Sequence, residues 1–360
     1  MSVAIILLSH EPNDCIYQYN IAYSLRKAGW QCDLYSACNN HLEEPDSHTY
    51  TFDGVSLPLK ERAKQIKTLL KDKHYSIAIC DTPLGVSFAR QYADKVIYYI
   101  TEWYPSKKNL RGLSCIGRLV KFQALVLASL WAGIRADAFF FGESYKARPF
   151  RMLFPWKRYF YIPYYPRLDI FPPVEQDKKD SVFTFLYAGP LTAEKGWERV
   201  KRLVKAIADK YPRKQWKLLV LSDSTDECTM PDNLTVSFEP YQPYRTFCNM
   251  LHEVDLCLDL RDDDYENTHC LPIKLFHYIA APANVLYTDL KAIHKDAPTL
   301  AKAVALVQPD DAERQLEFVS HIADSPSESL RAFRQAFEQE YNWDCKEEPF
   351  LSFIKKIQQP

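Results

Sequence analysis

Short apolar runs alternate with amphipathic segments along almost the whole chain. The apolar runs include Val3–Leu8, YSIAIC and KVIYYI in the first half, and VFTFLYA and NVLYT in the second. Continuous apolar strands between helices are typical of parallel sheets that helices cover on both faces. We therefore predict an α/β fold with parallel sheets.

The alternation occurs twice, and a stretch rich in proline and charge, YYPRLDIFPPVEQDKKD, separates the two series. In a chain of 360 residues, two doubly wound Rossmann-like domains account for this pattern economically. We predict an N-terminal domain over 1–165, a linker over 166–180 and a C-terminal domain over 181–340. A final helix over 341–360 is expected to pack back on the N-terminal domain.

Composition and charge exclude several classes of protein. Hydrophobic residues make up 47% of the chain and charged residues 25%, and the net charge of -1 gives no general attraction to nucleic acid. The ten cysteines include no C-x-x-C pair and no pair with zinc-finger spacing. We interpret them as buried reduced thiols of a cytoplasmic protein. The apolar N-terminal run is too short for a secretory signal, and we predict neither a cofactor nor a metal site.

Ligands of open parallel sheets bind at the carboxyl ends of the strands, so the loops there hold the candidate residues. GPLTAEKGWE follows the strand VFTFLYA. Gly189 permits a close approach of the backbone. Lys195 stands at the start of the following helix, where an ammonium and free N–H groups form an anion site. A solvated lysine on a helix surface is the alternative.

A second lysine occurs in PIKLFHYIAAPANVLYTDL, ahead of another strand. A basic residue near a helix start opposes the helix dipole, so its charge must have a partner or face a ligand. Lys274 and His277 are three residues apart and share one helix face, whereas Ile273, Phe276 and Ala280 are expected to pack on the sheet. With Lys195, two cationic sites would lie on one sheet edge, which suits a diphosphate.

The segments YAGPLTAEKGWE and LPIKLFHYIAAPANVLYTD resemble the C-terminal half of GT-B glycosyltransferases, particularly the family-4-like group. The resemblance implies two Rossmann-like domains that face each other across a cleft, and metal-independent transfer of a hexose from a nucleotide-diphosphate sugar, such as a UDP- or GDP-sugar, with retention. It implies that Lys195 and Lys274 contact the diphosphate and act in catalysis. Glu266, Asn267, Thr268 and His269 would lie near the donor sugar.

Some positions depart from the family pattern. His277 replaces a glutamate that commonly binds ribose hydroxyls, although imidazole can also bind a hydroxyl. Pro190 and Leu191 stand where an arginine is often found, and Pro282 and Asn284 replace a glycine and a proline. These departures leave open a catalytically degenerate GT-B subunit that binds a nucleotide or a partner without turnover. A two-domain solute-binding protein is a third hypothesis, which the unpaired-looking cysteines and the lysine pair disfavour.

Two further loops of the second half carry polar residues. Glu239 and Tyr241, in EPYQPY, are candidates for contact with the base, and an aromatic turn that packs on the core is an equal alternative. The acidic run Asp262–Asp264 formally matches the metal motif of another glycosyltransferase fold. We interpret it as a solvated acidic loop.

The first domain would supply the acceptor side. Candidates after its strands are His10 and Asp14 in SHEPND, Asp81 in CDTP and Glu102 in TEWYPSKKNLRG. Glu102 is our first choice for a catalytic role near the reacting sugar, and a helix-capping or ion-paired Glu102 is the alternative. For His10 a structural role is favoured.

The stretch 116–135 is strongly apolar, and basic residues lie before and within it. An interfacial helix combines such features, so 107–135 could make peripheral contact with a membrane. A buried helix of the first domain is the alternative that we favour. Membrane contact would suit a lipid-linked acceptor, a role in polysaccharide biosynthesis and a location at the inner face of the membrane.

Overall fold

The computed structural model describes residues 1–11, 15–38, 47–101, 107–171, 182–281, 283–324 and 328–359. The strands are β1 (Ser2–Leu7), β2 (Gln31–Ser36), β3 (Thr49–Thr51), β4 (Tyr75–Cys80), β5 (Ala93–Ile100), β6 (Ala138–Phe141), β7 (Arg158–Tyr161), β8 (Val182–Ala188), β9 (Gln215–Leu221), β10 (Leu234–Glu239), β11 (Leu256–Asp259), β12 (Asn284–Thr288) and β13 (Ala305–Val307).

The helices lie between and after these strands. They are α1 (Tyr23–Lys27, preceded by a wider helical turn over Cys15–Ala22), α2 (Leu59–Leu69), α3 (Pro83–Ala89), α4 (Lys107–Leu110), α5 (Cys115–Arg135), α6 (Ser144–Leu153), α7 (Trp197–Lys210), α8 (Tyr244–Met250), α9 (Tyr265–Thr268), α10 (Ile273–Ala280), α11 (Lys291–Asp296), α12 (Pro298–Ala303), α13 (Ala312–Asp324), α14 (Glu328–Gln339) and α15 (Asp344–Gln358).

The chain divides into two compact units, each built on one parallel sheet. The first unit comprises Met1–Tyr164 together with Lys346–Pro360, and the second comprises Tyr165–Cys345. The predicted α/β fold with two doubly wound sheets is confirmed.

The first sheet has the strand order β3-β2-β1-β4-β5-β6-β7. In its middle, Val3 of β1 lies opposite Cys32 of β2 on one side and Ile77 of β4 on the other. The residues Val3–Leu7 are buried, as a strand covered on both faces requires. The winding of the chain reverses between β1 and β4, which makes the carboxyl ends of these two strands a switch point.

The second sheet has the order β10-β9-β8-β11-β12-β13. Here the switch point lies between β8 and β11, where Tyr187 pairs with Leu258. Helix α7 packs its apolar face on this sheet and buries Trp197, Val200 and Val204. This packing holds the loop between β8 and α7 at the switch point.

The sequence predicts one continuous helix over 193–210, and the structure corrects this. A short turn over Ala193–Lys195 ends at Gly196, whose φ of +82° is left-handed, and α7 begins only at Trp197. A Cβ atom on Gly196 would lie 2.1 Å from the carbonyl oxygen of Leu260. Gly196 therefore breaks the helix because the backbone after β11 passes directly against it.

The structure corrects the favoured interpretation of residues 116–135 as a buried helix. Of the 21 residues of helix α5, only Ser129, Ala132 and Gly133 are buried. The expectation of a buried helix is wrong, and large apolar side chains of α5 face solvent.

Candidate active site

A cavity of about 400 Å³ opens at the switch point of the second sheet. This volume lies within the range of small-ligand sites. Three cationic side chains contribute to a lining that is otherwise apolar or neutral. The lining residues are Ala188, Gly189, Pro190, Lys195, Leu221, Tyr241, Gln242, Phe247, Arg261 and Lys274.

A buried carboxylate organises two of these cations. Asp259, the last residue of β11, is 2% exposed. It accepts hydrogen bonds from Nε of Arg261 at 2.7 Å and from the hydroxyl of Tyr287 at 3.0 Å. Nζ of Lys274 lies 3.0 Å from its Oδ2 and also donates to the carbonyl oxygen of Ala188. Lys274, from α10, thus links the ends of β8 and β11.

The electrostatics of this cluster follow from its burial and its charges. Burial alone would raise the pKa of Asp259, but Arg261 and Lys274 outweigh it and hold that pKa well below its usual range. Burial, together with the neighbouring guanidinium, lowers the pKa of Lys274, while Asp259 raises the pKa of Arg261. With all three groups charged, the cluster carries a net charge of about +1, which can attract an anion.

Lys195 supplies the third cation from the turn before α7. Its Nζ donates to Oδ1 of Asn267 at 3.2 Å and lies 3.4 Å from Oε1 of Glu194. Asn267 belongs to α9 and is 6% exposed, and its Nδ2 has no hydrogen-bond partner among the described residues. The position of Lys195 is therefore fixed by the loop that follows β11.

Gly189 allows the wall of the cavity to form at the end of β8. Its φ is +157°, and its N–H donates to the carbonyl oxygen of Leu221 at 3.0 Å. A Cβ atom there would lie 3.4 Å from Nζ of Lys274, in van der Waals contact with this ammonium. Glycine keeps the backbone of this loop open to a ligand.

The structure brings four of the predicted donor-binding residues to this cavity: Gly189, Lys195, Tyr241 and Lys274. Five others, which are not among its lining residues, are Glu239, Glu266, Thr268, His269 and His277. Thr268 is buried, and its hydroxyl accepts from the N–H of Lys291 at 3.4 Å. The ring of His269 interacts instead with Tyr265, one turn earlier.

His277 is buried on α10, at 3% exposure. Its Nδ1 donates to the carbonyl oxygen of Ile273 at 3.0 Å, so its Nε2 accepts from the hydroxyl of Tyr244 at 3.0 Å. Burial lowers the pKa of His277 from 6.5 to about 4, and the ring is neutral. Both ring nitrogens are therefore engaged within the protein. Ile273, expected to pack on the sheet, is 41% exposed, which corrects that expectation.

In the first unit, Asp81 lies at the end of β4 and is 2% exposed. Its carboxylate accepts from the N–H groups of Leu8, Ser9 and His10 at 2.9 to 3.2 Å, and from Nδ1 of His10 at 2.9 Å. Asp81 thus fixes the loop after β1, and His10 is oriented by it. The predicted residues Asp14 and Glu102 lie outside the described residues.

Sequence reasoning missed Arg261 and Asp259. Arg261 comes second after β11, directly before the acidic run, and its position just beyond the strand end was the available signal. Asp259 lies inside the mostly apolar run DLCLDL, which by itself predicts only a buried strand. A carboxylate that ends a buried strand needs a cation nearby, and this requirement could have suggested the cluster.

The acidic run after Arg261 has structural partners. Asp262 pairs with Arg199 at 2.7 Å, and Asp264 caps α9 by accepting from the N–H of Asn267 at 2.9 Å. Among the described residues, no group of three or more His, Cys, Asp and Glu side chains could hold a metal ion.

Comparisons with known proteins give matches only at the level of structure. No family model matches the sequence, and no curated protein matches it. Sucrose-phosphate synthase from Thermosynechococcus elongatus is 13% identical, with a TM-score of 0.69 over 99% of each chain. A structure described as trehalose-6-phosphate from E. coli bound with UDP-2-fluoro glucose is 11% identical, with a TM-score of 0.64 over 100% of this chain and 99% of that one.

A trehalose-6-phosphate synthase, solved in a study of glycosyl transfer with retention, is 12% identical with a TM-score of 0.63, over 99% of each chain. The similarity extends over the whole chain in each case. Taken with the two Rossmann-like sheets, it shows that this chain has the GT-B fold.

Proposed function

We propose that this chain is a glycosyltransferase that moves a hexose from a nucleotide-diphosphate sugar to a hydroxyl of a glycan or a lipid-linked acceptor. In the reaction, the bond between the anomeric carbon and the diphosphate oxygen breaks. The acceptor oxygen bonds to the anomeric carbon and passes its proton to the departing diphosphate. We propose that the configuration at the anomeric carbon is retained.

The observation that carries this proposal is the convergence of Lys195, Arg261 and Lys274 on one cavity at a switch point. In Rossmann-like sheets this is the place where nucleotides bind. Three cations suit the negative charge that grows on a leaving diphosphate, and they can replace a metal ion in stabilising it. Arg261 reaches the cavity from the end of β11, which offsets the absence of a basic residue at Pro190 and Leu191.

The rest of the lining suits the remainder of the donor. Tyr241 is 47% exposed, and with Phe247 it gives the cavity an aromatic side on which a base can stack. The structural neighbours support this reading, because one was solved with UDP-2-fluoro glucose and another in a study of transfer with retention. In the loop after β11, Asn267 has a buried amide nitrogen that is available to a sugar hydroxyl.

We place the protein in the cytoplasm. Six of its ten cysteines are buried, which suits a reducing compartment. A role in polysaccharide biosynthesis follows from the proposed glycan acceptor.

The direct test is release of nucleotide from UDP- and GDP-sugars, with and without candidate acceptors. We expect steady release with one donor and its loss in Arg261→Met, with Lys302→Met as the control because Lys302 is an exposed lysine of the same unit. Nuclear magnetic resonance of the product would report the configuration at the anomeric carbon.

Two results would contradict the proposal in different ways. Binding of nucleotide sugars without any turnover would identify a degenerate subunit, and the buried, fully paired His277 is the observation that favours this second candidate. If no nucleotide sugar raised the melting temperature of the protein, the proposed donor site would be wrong.

A further inference from the structure

Helix α5 connects two neighbouring strands of one sheet. β5 and β6 are parallel and adjacent, with Ile97 opposite Ala138. By length and composition alone α5 could cross a membrane. Its 21 residues extend over about 31 Å. Because both flanking strands belong to the same sheet, a spanning helix would carry that sheet into the bilayer, so α5 must lie alongside the folded unit.

One side of α5 is apolar and exposed along the whole helix. The side chains are spaced by three, four or seven residues, apart from the adjacent pair Leu119 and Val120, so they share one helix face, which Gln123 interrupts. They are between 53% and 78% exposed. The residues are Ile116, Leu119, Val120, Leu127, Trp131 and Ile134.

The end of α6 and the residue Trp156 carry further exposed apolar side chains near the end of α5. Met152, Leu153 and Trp156 are 72%, 53% and 73% exposed. The segment that carries them is fixed to the end of α5, because Nζ of Lys157 donates to the carbonyl oxygens of Gly133 at 2.5 Å and of the following Ile134 at 2.7 Å. We refer to the exposed apolar residues of α5, with Met152, Leu153 and Trp156, as the α5/α6 surface.

The charged residues of α4, α5 and α6 are all lysine or arginine. Residues 107–135 contain six lysines and arginines and no aspartate or glutamate. Arg118 and Lys121 are exposed on the side of α5 away from the apolar stripe, and Arg148 and Arg151 are exposed on α6. An apolar helix face with only basic charges on the polar face is the pattern of a helix that lies in the interface of an anionic membrane.

We propose that the α5/α6 surface docks in the plane of a bilayer that contains anionic lipids. The apolar side chains enter the boundary between headgroups and acyl chains, and the basic side chains contact lipid phosphates. A second copy of this chain fits the surface poorly, because two such faces would bring like charges together. The proposal does not depend on sugar transfer, because it concerns a surface of the first unit only.

The experiment is co-sedimentation of the full chain with vesicles. We expect binding to an equimolar mixture of phosphatidylcholine and phosphatidylglycerol, and weaker binding to phosphatidylcholine alone. High salt should weaken binding to the mixture because it screens the charges. Emission from Trp131 and Trp156 should shift to shorter wavelength when the vesicles bind.

Two sets of variants separate the apolar and the basic contributions. Ile116→Gln/Leu127→Gln/Ile134→Gln should weaken binding by about a hundredfold, since three apolar side chains lose their contact with lipid. Arg118→Gln/Lys121→Gln should weaken binding to the anionic mixture by about 25-fold, at about fivefold for each charge. All five side chains are exposed, so folding should be unaffected.

Matched controls lie away from the surface. Lys355→Gln/Lys356→Gln removes two exposed charges from α15. Phe350 of this helix packs on Phe140 of β6. The neighbouring residue Phe139 points to the opposite face of the sheet, where it contacts Phe154 at the end of α6. The control helix therefore lies on the other face of the sheet. The control should change binding by less than about twofold.

Several outcomes would overturn the proposal. One is no binding of the unmodified chain to either vesicle, and another is binding that the apolar triple variant leaves unchanged. A concentration-dependent dimer that the same variant dissociates would assign the surface to a second copy. Turnover of a nucleotide sugar is measured without vesicles, so failure here and failure of the proposed function are distinguishable.

Discussion

Replacement of Lys274 by methionine tests the anion site most directly. Methionine keeps most of the side-chain length but removes the ammonium, so the cluster with Asp259 and Arg261 falls from a net charge of about +1 to about zero. Arg261 and Tyr287 still hydrogen-bond the carboxylate, so Asp259 keeps partners. We expect the variant to fold and to bind a nucleoside diphosphate weakly.

The size of the loss follows from the position of the ammonium. A hydrogen bond between charged partners contributes about 1.5–3 kcal/mol. The side chain of Lys274 is 29% exposed, so water screens part of this interaction. We therefore expect a loss of about 2 kcal/mol in binding free energy, so the dissociation constant for the diphosphate should rise about 30-fold.

Isothermal titration calorimetry should compare a nucleoside diphosphate with the matching nucleoside. The nucleoside has no phosphate for Lys274 to contact, so its affinity should change by less than about twofold. Lys302→Met removes an exposed lysine of the same unit and serves as the control for net charge. Equal losses for both ligands, or no loss for the diphosphate, would refute the assignment of Lys274 to phosphate.

Three further predictions concern stability. Gly196→Ala should destabilise the protein by more than about 2 kcal/mol, because a left-handed backbone and a clash with Leu260 add together. Gly29→Ala, at φ +77° with no atom within 4 Å of the new Cβ, should cost only about 1 kcal/mol. His277 has a folded-state pKa of about 4, below its usual 6.5, so the unfolded chain binds more protons between these values. Stability should fall by about 3 kcal/mol as pH drops through this window, and His277→Gln should abolish that part of the fall. Asp81→Asn should cost about 2 kcal/mol, since an amide cannot accept all the bonds that the carboxylate accepts.

Denaturant unfolding checks all three, at several pH values for His277. Equal effects of the two glycine variants would show that the clash at Gly196 is unimportant. An unchanged pH profile in His277→Gln would mean that other groups cause the pH dependence. An Asp81→Asn variant as stable as the parent would contradict the role of that carboxylate in holding the loop after β1.

The sequence was sufficient for the fold class because several strands, among them β1, β4, β5 and β8, are mainly apolar runs of six to eight residues. YSIAIC and NVLYT coincide with β4 and β12. By contrast, β3, β6, β7 and β13 have three or four residues each, and a periodicity of two is not visible over so short a stretch. Strand order also lay beyond the sequence, because it depends on which apolar runs pair.

At the site, the sequence indicated Gly189, Lys195 and Lys274, but not their partners. The periodicity of a helix predicts which of its residues share a face. It does not predict which residues of other elements pack against that face. Lys274 and His277 share a face by spacing, yet one lines a cavity and the other meets Tyr244, which is 33 residues earlier in the chain. Arg261 could not be found from the sequence because its place at the cavity depends on its pairing with the buried carboxylate of Asp259.

The carboxylate of Asp259 also affects how fast and how selectively a ligand can engage. Lys274 and Arg261 are held in place while the cavity is empty, so neither side chain has to be immobilised when an anion arrives. A receptor of this kind discriminates by geometry, since its donors cannot rearrange to suit an anion of another shape. Inorganic phosphate or sulfate should therefore compete poorly with a pyrophosphate group.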